Sequence, residues 1–223
     1  RIIDKGVDRA VAEHRPDSNG DRPVAQQLRL AKRDIALATA LADLAGHWTL
    51  EQVTQSLSDF ADMALDCALT AAIEERTPGS PVTGFVVLAL GKHGSRELNY
   101  SSDLDLILLY DSASLPRRAG EESDVAAQRI ARRLVELMQA RDSDGYVFRI
   151  DLRLRPSPEV TPAVLSVGAA EAYYHSEALT WERAAFIRAR VVAGDRALGE
   201  RFMASIRPFI WRRAIDYTAV REI

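Results

Sequence analysis

Phe85-Val86-Val87-Leu88-Ala89-Leu90 is an unbroken apolar run of strand length, and Asp103-Leu104-Asp105-Leu106-Ile107-Leu108-Leu109-Tyr110 reads as a second strand that opens with Asp-Leu-Asp. Continuous apolar runs of this length are what a strand covered on both faces requires. Between them lies a glycine-bearing turn, Gly91-Lys92-His93-Gly94-Ser95. Downstream, Ser123 to Arg141 places Ala127, Ile130, Ala131, Leu134, Leu137 and Met138 on one helical face, which predicts a helix packed on the sheet. Tyr146 to Leu154 alternates and reads as a third strand, and Ala163 to Val167, between Pro162 and Gly168, reads as a fourth.

The flanks read as helical. Leu30, Leu37, Leu41, Leu44 and Trp48 form an apolar stripe at helical spacing, closed by Gly46. Thr49-Leu50-Glu51-Gln52 is a capping box, opening a helix that carries Val53, Leu57, Phe60, Ala64, Cys67 and Ala71 on one face. Thr77-Pro78-Gly79-Ser80-Pro81 ends it as a linker. Arg15 to Pro23 is polar and reads as a mobile loop after an N-terminal helical stub. From Ala169 onward the pattern is helical, with a break at Pro208; Trp181 and Trp211 read as core anchors, and Tyr173 and Tyr174 as packing residues. The expected organisation is therefore a helical segment over 1–80, a core over 81–168 and a helical segment over 169–223.

Composition narrows the class. The 223 residues are 47% hydrophobic and 27% charged, which excludes disordered, collagen-like and coiled-coil chains. With 29 Lys+Arg against 32 Asp+Glu, the net charge of −3 argues against a nucleic-acid binder. No apolar run reaches the roughly 18–20 residues of a membrane span. A single cysteine, Cys67, excludes a disulfide framework and fits the cytoplasm. The chain starts at Arg1 without a signal peptide and reads as a piece of something longer.

Side chains alternate along a strand, so Asp103 and Asp105 share a face with Cα atoms about 6.6 Å apart. Two carboxylates so placed repel, and a divalent cation with hard oxygen ligands relieves them. Arg149, Asp151, Arg153 and Arg155 share one parity of the third strand. If that strand lies beside the second, Asp151 completes a three-carboxylate cluster able to hold two metal ions about 3.5–4 Å apart, a spacing suited to displacement at phosphorus. The arginines would offer forked donors to phosphate. Gly91 and Gly94 would let the backbone approach a ligand, with Ser95 and successive amides forming an anion nest. Neither a Walker A loop nor a G-x-G-x-x-G fingerprint is present. Taken singly, Asp-x-Asp also suits a solvated strand end, the Arg/Asp alternation a salt-bridged edge, and His93 an incidental turn residue; the order of the three elements is the specific signal.

Those residues also carry a resemblance. Gly91 to Leu106, Tyr146 to Pro156, and Tyr173-Tyr174 with Thr180-Trp181-Glu182-Arg183 and Ile187-Arg188-Ala189-Arg190 resemble the glutamine synthetase adenylyltransferase/deadenylylase family, from about Leu28 onward. The resemblance implies an α+β fold: a nucleotidyltransferase (DNA polymerase beta-like) mixed sheet with flanking helices, preceded and followed by helical segments. Family members hold two such domains. The amino-terminal one removes AMP from a tyrosine of glutamine synthetase and the carboxy-terminal one attaches it. The helix from Leu30 to Leu44, the paired tyrosines and Trp181-Glu182-Arg183-Ala184-Ala185 resemble the amino-terminal half. His93 and Ser95 depart from the Leu or Met and the Gly commoner in the family.

On this resemblance Asp103, Asp105 and Asp151 would be catalytic and would hold two Mg²⁺ ions. Gly94, Ser95 and Ser102 would cradle phosphate oxygens, and Arg153 or Arg155 would bind the attacking phosphate. The reaction implied is phosphorolysis of adenylyl-tyrosine to ADP. Implied partners are adenylylated glutamine synthetase, phosphate, ADP or ATP, and the PII signalling protein, with no nucleic acid and no membrane. The alternatives are the attaching half, which uses ATP and releases pyrophosphate, and a docking domain that senses PII.

Overall fold

The computed structural model describes residues 22–211. The expected helical stub and most of the loop from Arg15 to Pro23 lie outside them. Thirteen elements follow in order: α1 (Val24–Leu44), α2 (Leu50–Glu74), β1 (Phe85–Ala89), α3 (Gly91–Gly94), β2 (Leu104–Tyr110), α4 (Ser123–Gln139), β3 (Ile150–Asp151), β4 (Val164–Ser166), α5 (Val167–Ser176), α6 (Thr180–Phe186), β5 (Arg190–Gly194), α7 (Arg196–Ser205) and α8 (Arg207–Ile210).

The strands make one mixed sheet, ordered β3-β2-β1-β5, with β4 also on β2. β1 runs antiparallel to β2 and to β5; β3 and β4 both run parallel to β2, the first at its start and the second at its end. All of β1 is buried, as its apolar run demands. One face of the sheet presents Val87, Leu104, Leu106 and Leu108 to a core built with α1, α2 and α4. The other presents Val86, Leu88, Ile107 and Leu109 to Tyr174, Phe186, Phe202 and Ile210 from the C-terminal helices. Two full apolar faces need two covering layers, and the chain supplies one from each side of its central strands.

Several local readings hold. Thr49 Oγ1 accepts from the Gln52 amide at 3.4 Å and Gln52 Oε1 from the Thr49 amide at 2.9 Å, the reciprocal capping box. α1 stops ahead of Gly46, whose amide returns to the Asp43 carbonyl. α4 buries all six of its expected residues. Cys67 is half-buried with Sγ 3.6 Å from Met63 Sδ, and Tyr174 is a packing residue as expected.

Other readings do not hold. The buried face of α1 is Leu28, Ala31, Ile35, Thr39 and Ala42, whereas Leu37, Leu41 and Leu44 are 60%, 59% and 87% exposed. Small residues let α1 lie close on α2, so the leucines turn outward. The third strand shrinks from Tyr146–Leu154 to two residues: Val147 and Phe148 are both buried, which breaks the two-residue alternation. The region after Ala169 is not wholly helical, because β5 pairs with β1. Trp181 and Trp211 are exposed and anchor no core.

Candidate active site

β2 and β3 align Leu104 with Ile150 and Asp105 with Asp151. Lateral neighbours in a sheet point their side chains to the same side, so Asp105 and Asp151 stand side by side, with Asp103 two residues earlier on the same face. This is the side of Ile107 and Leu109, at the open end of β2. Leu104 and Leu106, on the other side, anchor the strand in the core.

The charges are unevenly balanced. Arg149 donates from Nε to Asp103 Oδ1 at 2.5 Å, and also to Tyr146 Oη and the Ser101 carbonyl. Arg153 grips Asp151 with Nε at 3.0 and 2.9 Å and Nη2 at 2.5 Å, and its amide donates to the same carboxylate. No salt bridge reaches Asp105 among the described residues. Burial, and then repulsion from Asp151 and Asp103, raises its carboxyl above the usual range. The arginines hold Asp103 and Asp151 to themselves, and among the described residues no three acidic, histidine or cysteine side chains are gathered closely enough to bind one ion as they stand. The three side chains are all carboxylates, the oxygen donors a hard divalent cation prefers, and Asp105 carries a net repulsion that a cation would relieve. A groove of about 490 Å³ opens beside it, lined by Asp103, Gln139, Arg149, Asp151, Arg153 and Arg155.

The turn after β1 is a single helical turn, α3. Gly91 takes φ +54°, and a Cβ there would lie 2.6 Å from Asp105 Oδ2, so a glycine lets the turn press against the carboxylate. Gly94 meets the chain itself: a Cβ would stand 2.0 Å from the Arg188 carbonyl oxygen and 2.8 Å from that of Ala89. The amides of Gly94, Ser95, Arg96 and Glu97 donate to Leu90, Gly91, His93 and Lys92. The anion nest expected over Gly94 and Ser95 is thereby closed by internal hydrogen bonds. Ser95 Oγ donates to the Gly91 carbonyl and to Glu97 Oε2, and Ser102 Oγ to Asn99 Oδ1.

Arg155 also departs from expectation. With the strand ended at Asp151, its guanidinium turns into the following loop and donates to the carbonyls of Leu152, Pro158, Thr161 and Pro162. It shapes that loop and has little left for phosphate. Arg153, with 85% of its side chain exposed, keeps its access to the groove.

Asp62 and Arg190 meet His93 of α3 in a cluster that the sequence reading did not anticipate. His93 is buried rather than incidental, with Nε2 2.7 Å from Asp62 Oδ1 of α2. Arg190 of β5 donates to Asp62 Oδ2 at 2.5 Å and Oδ1 at 3.1 Å, and to the His93 and Gly94 carbonyls. Burial lowers the His93 imidazole and outweighs the pull of Asp62, so the ring is neutral and offers its Nε2 proton to the carboxylate. Burial pushes Asp62 up, but the hydrogen bonds from His93 and Arg190 outweigh it and hold the carboxyl below its usual range. This cluster ties α2, α3 and β5 together under Asp105. Lys32 of α1 was missed as well. It donates to the Val147 carbonyl at 2.5 Å, lies 3.7 Å from the Phe148 ring centroid, and is lowered to about 8 by burial and then by Arg149. His93 and Arg190 both sat in quoted motifs; the contacts they make with Asp62 are too distant in sequence for any local pattern to reveal them.

Among the described residues no helix is long and apolar enough to cross a membrane. Residues 5–205 match the family profile described as glutamate-ammonia ligase adenylyltransferase. Three similar relatives are each named bifunctional glutamine synthetase adenylyltransferase/adenylyl-removing enzyme. That of Caulobacter vibrioides is 45% identical over 93% of this chain and 22% of its own length. That of Xanthobacter autotrophicus is 42% identical over 92% and 22%, and that of Rhizobium meliloti 40% identical over 100% and 24%. The chain thus spans under a quarter of the length of these relatives. A profile match across nearly all of the chain, on a mixed sheet bearing the three aspartates, leads to one conclusion: the chain belongs to the glutamate-ammonia ligase adenylyltransferase family, a family of nucleotidyltransferases.

Proposed function

We propose that this chain is an adenylyl-removing domain, which takes AMP from an adenylylated tyrosine of glutamine synthetase by phosphorolysis. The observation that supports it most is the register of β2 against β3, which sets Asp151 beside Asp105. Asp103, Asp105 and Asp151 would hold Mg²⁺. When bound, Mg²⁺ supplies positive charge to the phosphoryl oxygens and to the departing phenolate. The chain's own residues bind and orient. Arg153 can exchange Asp151 for an oxygen of the incoming phosphate, and Arg149 lies at the same groove. An oxygen of inorganic phosphate attacks the adenylyl phosphorus, the bond from phosphorus to the tyrosine oxygen breaks, and ADP leaves. With a pKa near 10, the phenol departs without a dedicated general acid. The resemblance of the Trp181 to Ala185 segment and of the paired tyrosines to the amino-terminal half supports removal over attachment. The PII signalling protein is the regulatory partner this reading implies.

The test is incubation of the chain with adenylylated glutamine synthetase, Mg²⁺ and phosphate. ADP formation, lost in Asp105→Asn, is expected. AMP in place of ADP would make water the nucleophile, and ATP consumption with pyrophosphate release would assign the attaching half.

A further inference from the structure

Asp105 is flanked by two carboxylates that are each held by an arginine. Arg149 Nε donates to Asp103 Oδ1 at 2.5 Å. Arg153 Nε donates to both oxygens of Asp151 at 3.0 and 2.9 Å, and its Nη2 donates to Oδ2 at 2.5 Å. The two guanidiniums and the two carboxylates they hold all line the groove of about 490 Å³. Arg155 lines it too, but spends its guanidinium on backbone carbonyls.

Both pairs open easily. The arginine side chains are 50% and 85% exposed, and those of Asp103 and Asp151 45% and 15%, so each guanidinium lies on the solvent side of its partner. Ion pairs so exposed are weak and yield to a stronger competitor. A divalent cation is such a competitor, since it brings two charges to oxygens that a guanidinium approaches with one. Asp151, and after it Asp105 and Asp103, hold the Arg153 guanidinium above its usual range. All three carboxylates are therefore within electrostatic reach of Arg153, and a cation received by Asp105 repels it from Asp151. A guanidinium once displaced stays charged and can only donate, so it needs another acceptor. Its fork matches two oxygens of a phosphate as well as it matches a carboxylate.

We infer that Arg149 and Arg153 are paired latches of the groove, held on Asp103 and Asp151 without divalent cation and turned to a phosphate-type oxyanion once a cation takes those carboxylates. Cation and oxyanion then bind cooperatively, because each favours the arrangement that the other needs. Phosphate arriving alone finds both forks occupied and the carboxylates uncompensated. The inference rests on the reading that the three aspartates hold a divalent cation, and adds to it the order in which the site becomes competent.

The test joins two measurements on the full chain. NMR follows the arginine Nε–Hε groups while Mg²⁺ is added without phosphate. Calorimetry then measures inorganic phosphate binding with and without saturating Mg²⁺. Mg²⁺ should move the signals of Arg149 and Arg153, with Arg155, which holds only carbonyls, as the unmoved reference. It should also raise phosphate affinity by about tenfold or more. The double variant Arg149→Met with Arg153→Met keeps both aliphatic stems. It should bind Mg²⁺ several-fold more tightly, since the carboxylates lose their competitors, and should cut the coupling to phosphate below about threefold. Coupling that survives in the double variant would come from metal touching phosphate directly and would overturn the exchange. Mg²⁺ binding that is lost in Asp105→Asn but leaves both arginine signals in place would overturn the exchange alone, with the proposed function standing. No Mg²⁺ binding at all would overturn both.

Discussion

Replacing Asp62 with Asn keeps the shape of the side chain and removes its charge. The carboxylate accepts from His93 Nε2 and twice from Arg190, and Arg96 Nη2 approaches to 3.9 Å. Without it, Arg190 loses its ion-pair partner among the described residues, while Arg96 keeps Asp59, and the tie between α2 and the turn under Asp105 is weakened. Removing one partner of a buried ion pair costs roughly 3–5 kcal/mol. The side chains of Asp62 and Arg190 keep 17% and 22% exposure, so solvent reduces this to about 2–3 kcal/mol. For a domain of this size that lowers the melting temperature by roughly 4–12 °C. Urea denaturation and calorimetry measure it. The loss also depends on pH. Because the folded-state pKa of Asp62 is depressed, its stabilisation is complete above the unfolded carboxylate value near 3.9 and disappears as pH falls through the folded value. The gap between wild type and Asp62→Asn therefore narrows in acid. A loss below about 0.5 kcal/mol at pH 7, or a gap that is constant into acid, would refute the reasoning.

Asp105 behaves in the opposite sense. Its raised carboxyl holds its proton to higher pH in the folded state than in the unfolded one, so stability falls as pH rises through that window. Asp105→Asn should melt at or above the wild-type temperature, while the proposed ADP formation is lost; a variant that melts lower contradicts this. Gly94→Ala drives a methyl into the Arg188 and Ala89 carbonyls, and should cost at least about 1–3 kcal/mol by urea titration. Leu41→Gln, on the outward face of α1, should stay within about 0.5 kcal/mol of wild type, whereas a core role would cost several times that.

The central strands could be read because a sheet covered on both faces demands unbroken apolar runs, and Phe85–Leu90 and Leu106–Tyr110 admit little else. Asp103 and Asp105 stood out against that background. Asp151 could be paired with them by parity alone, but its register on β2 was not written in either segment. The rest depended on contacts distant in sequence. Leucine is more conspicuous than alanine, so the outward stripe of α1 concealed the small residues that pack on α2. β5 is five residues long, begins with an arginine and adjoins helices, so nothing local distinguished it. Arg155 was placed on the site by extending an alternation past the point where burial of Val147 and Phe148 had already broken it. His93 in its turn looked ordinary because its partner, Asp62, sits on a helix 31 residues earlier.

The claim on which the account rests is that three aspartates from two adjacent strands share divalent cation. Calorimetric titration of the chain with Mg²⁺ tests this directly, comparing wild type with Asp103→Asn, Asp105→Asn and Asp151→Asn. The account predicts binding in wild type that each substitution weakens by tenfold or more, about 1.4 kcal/mol or above. Binding left intact by Asp151→Asn would contradict it.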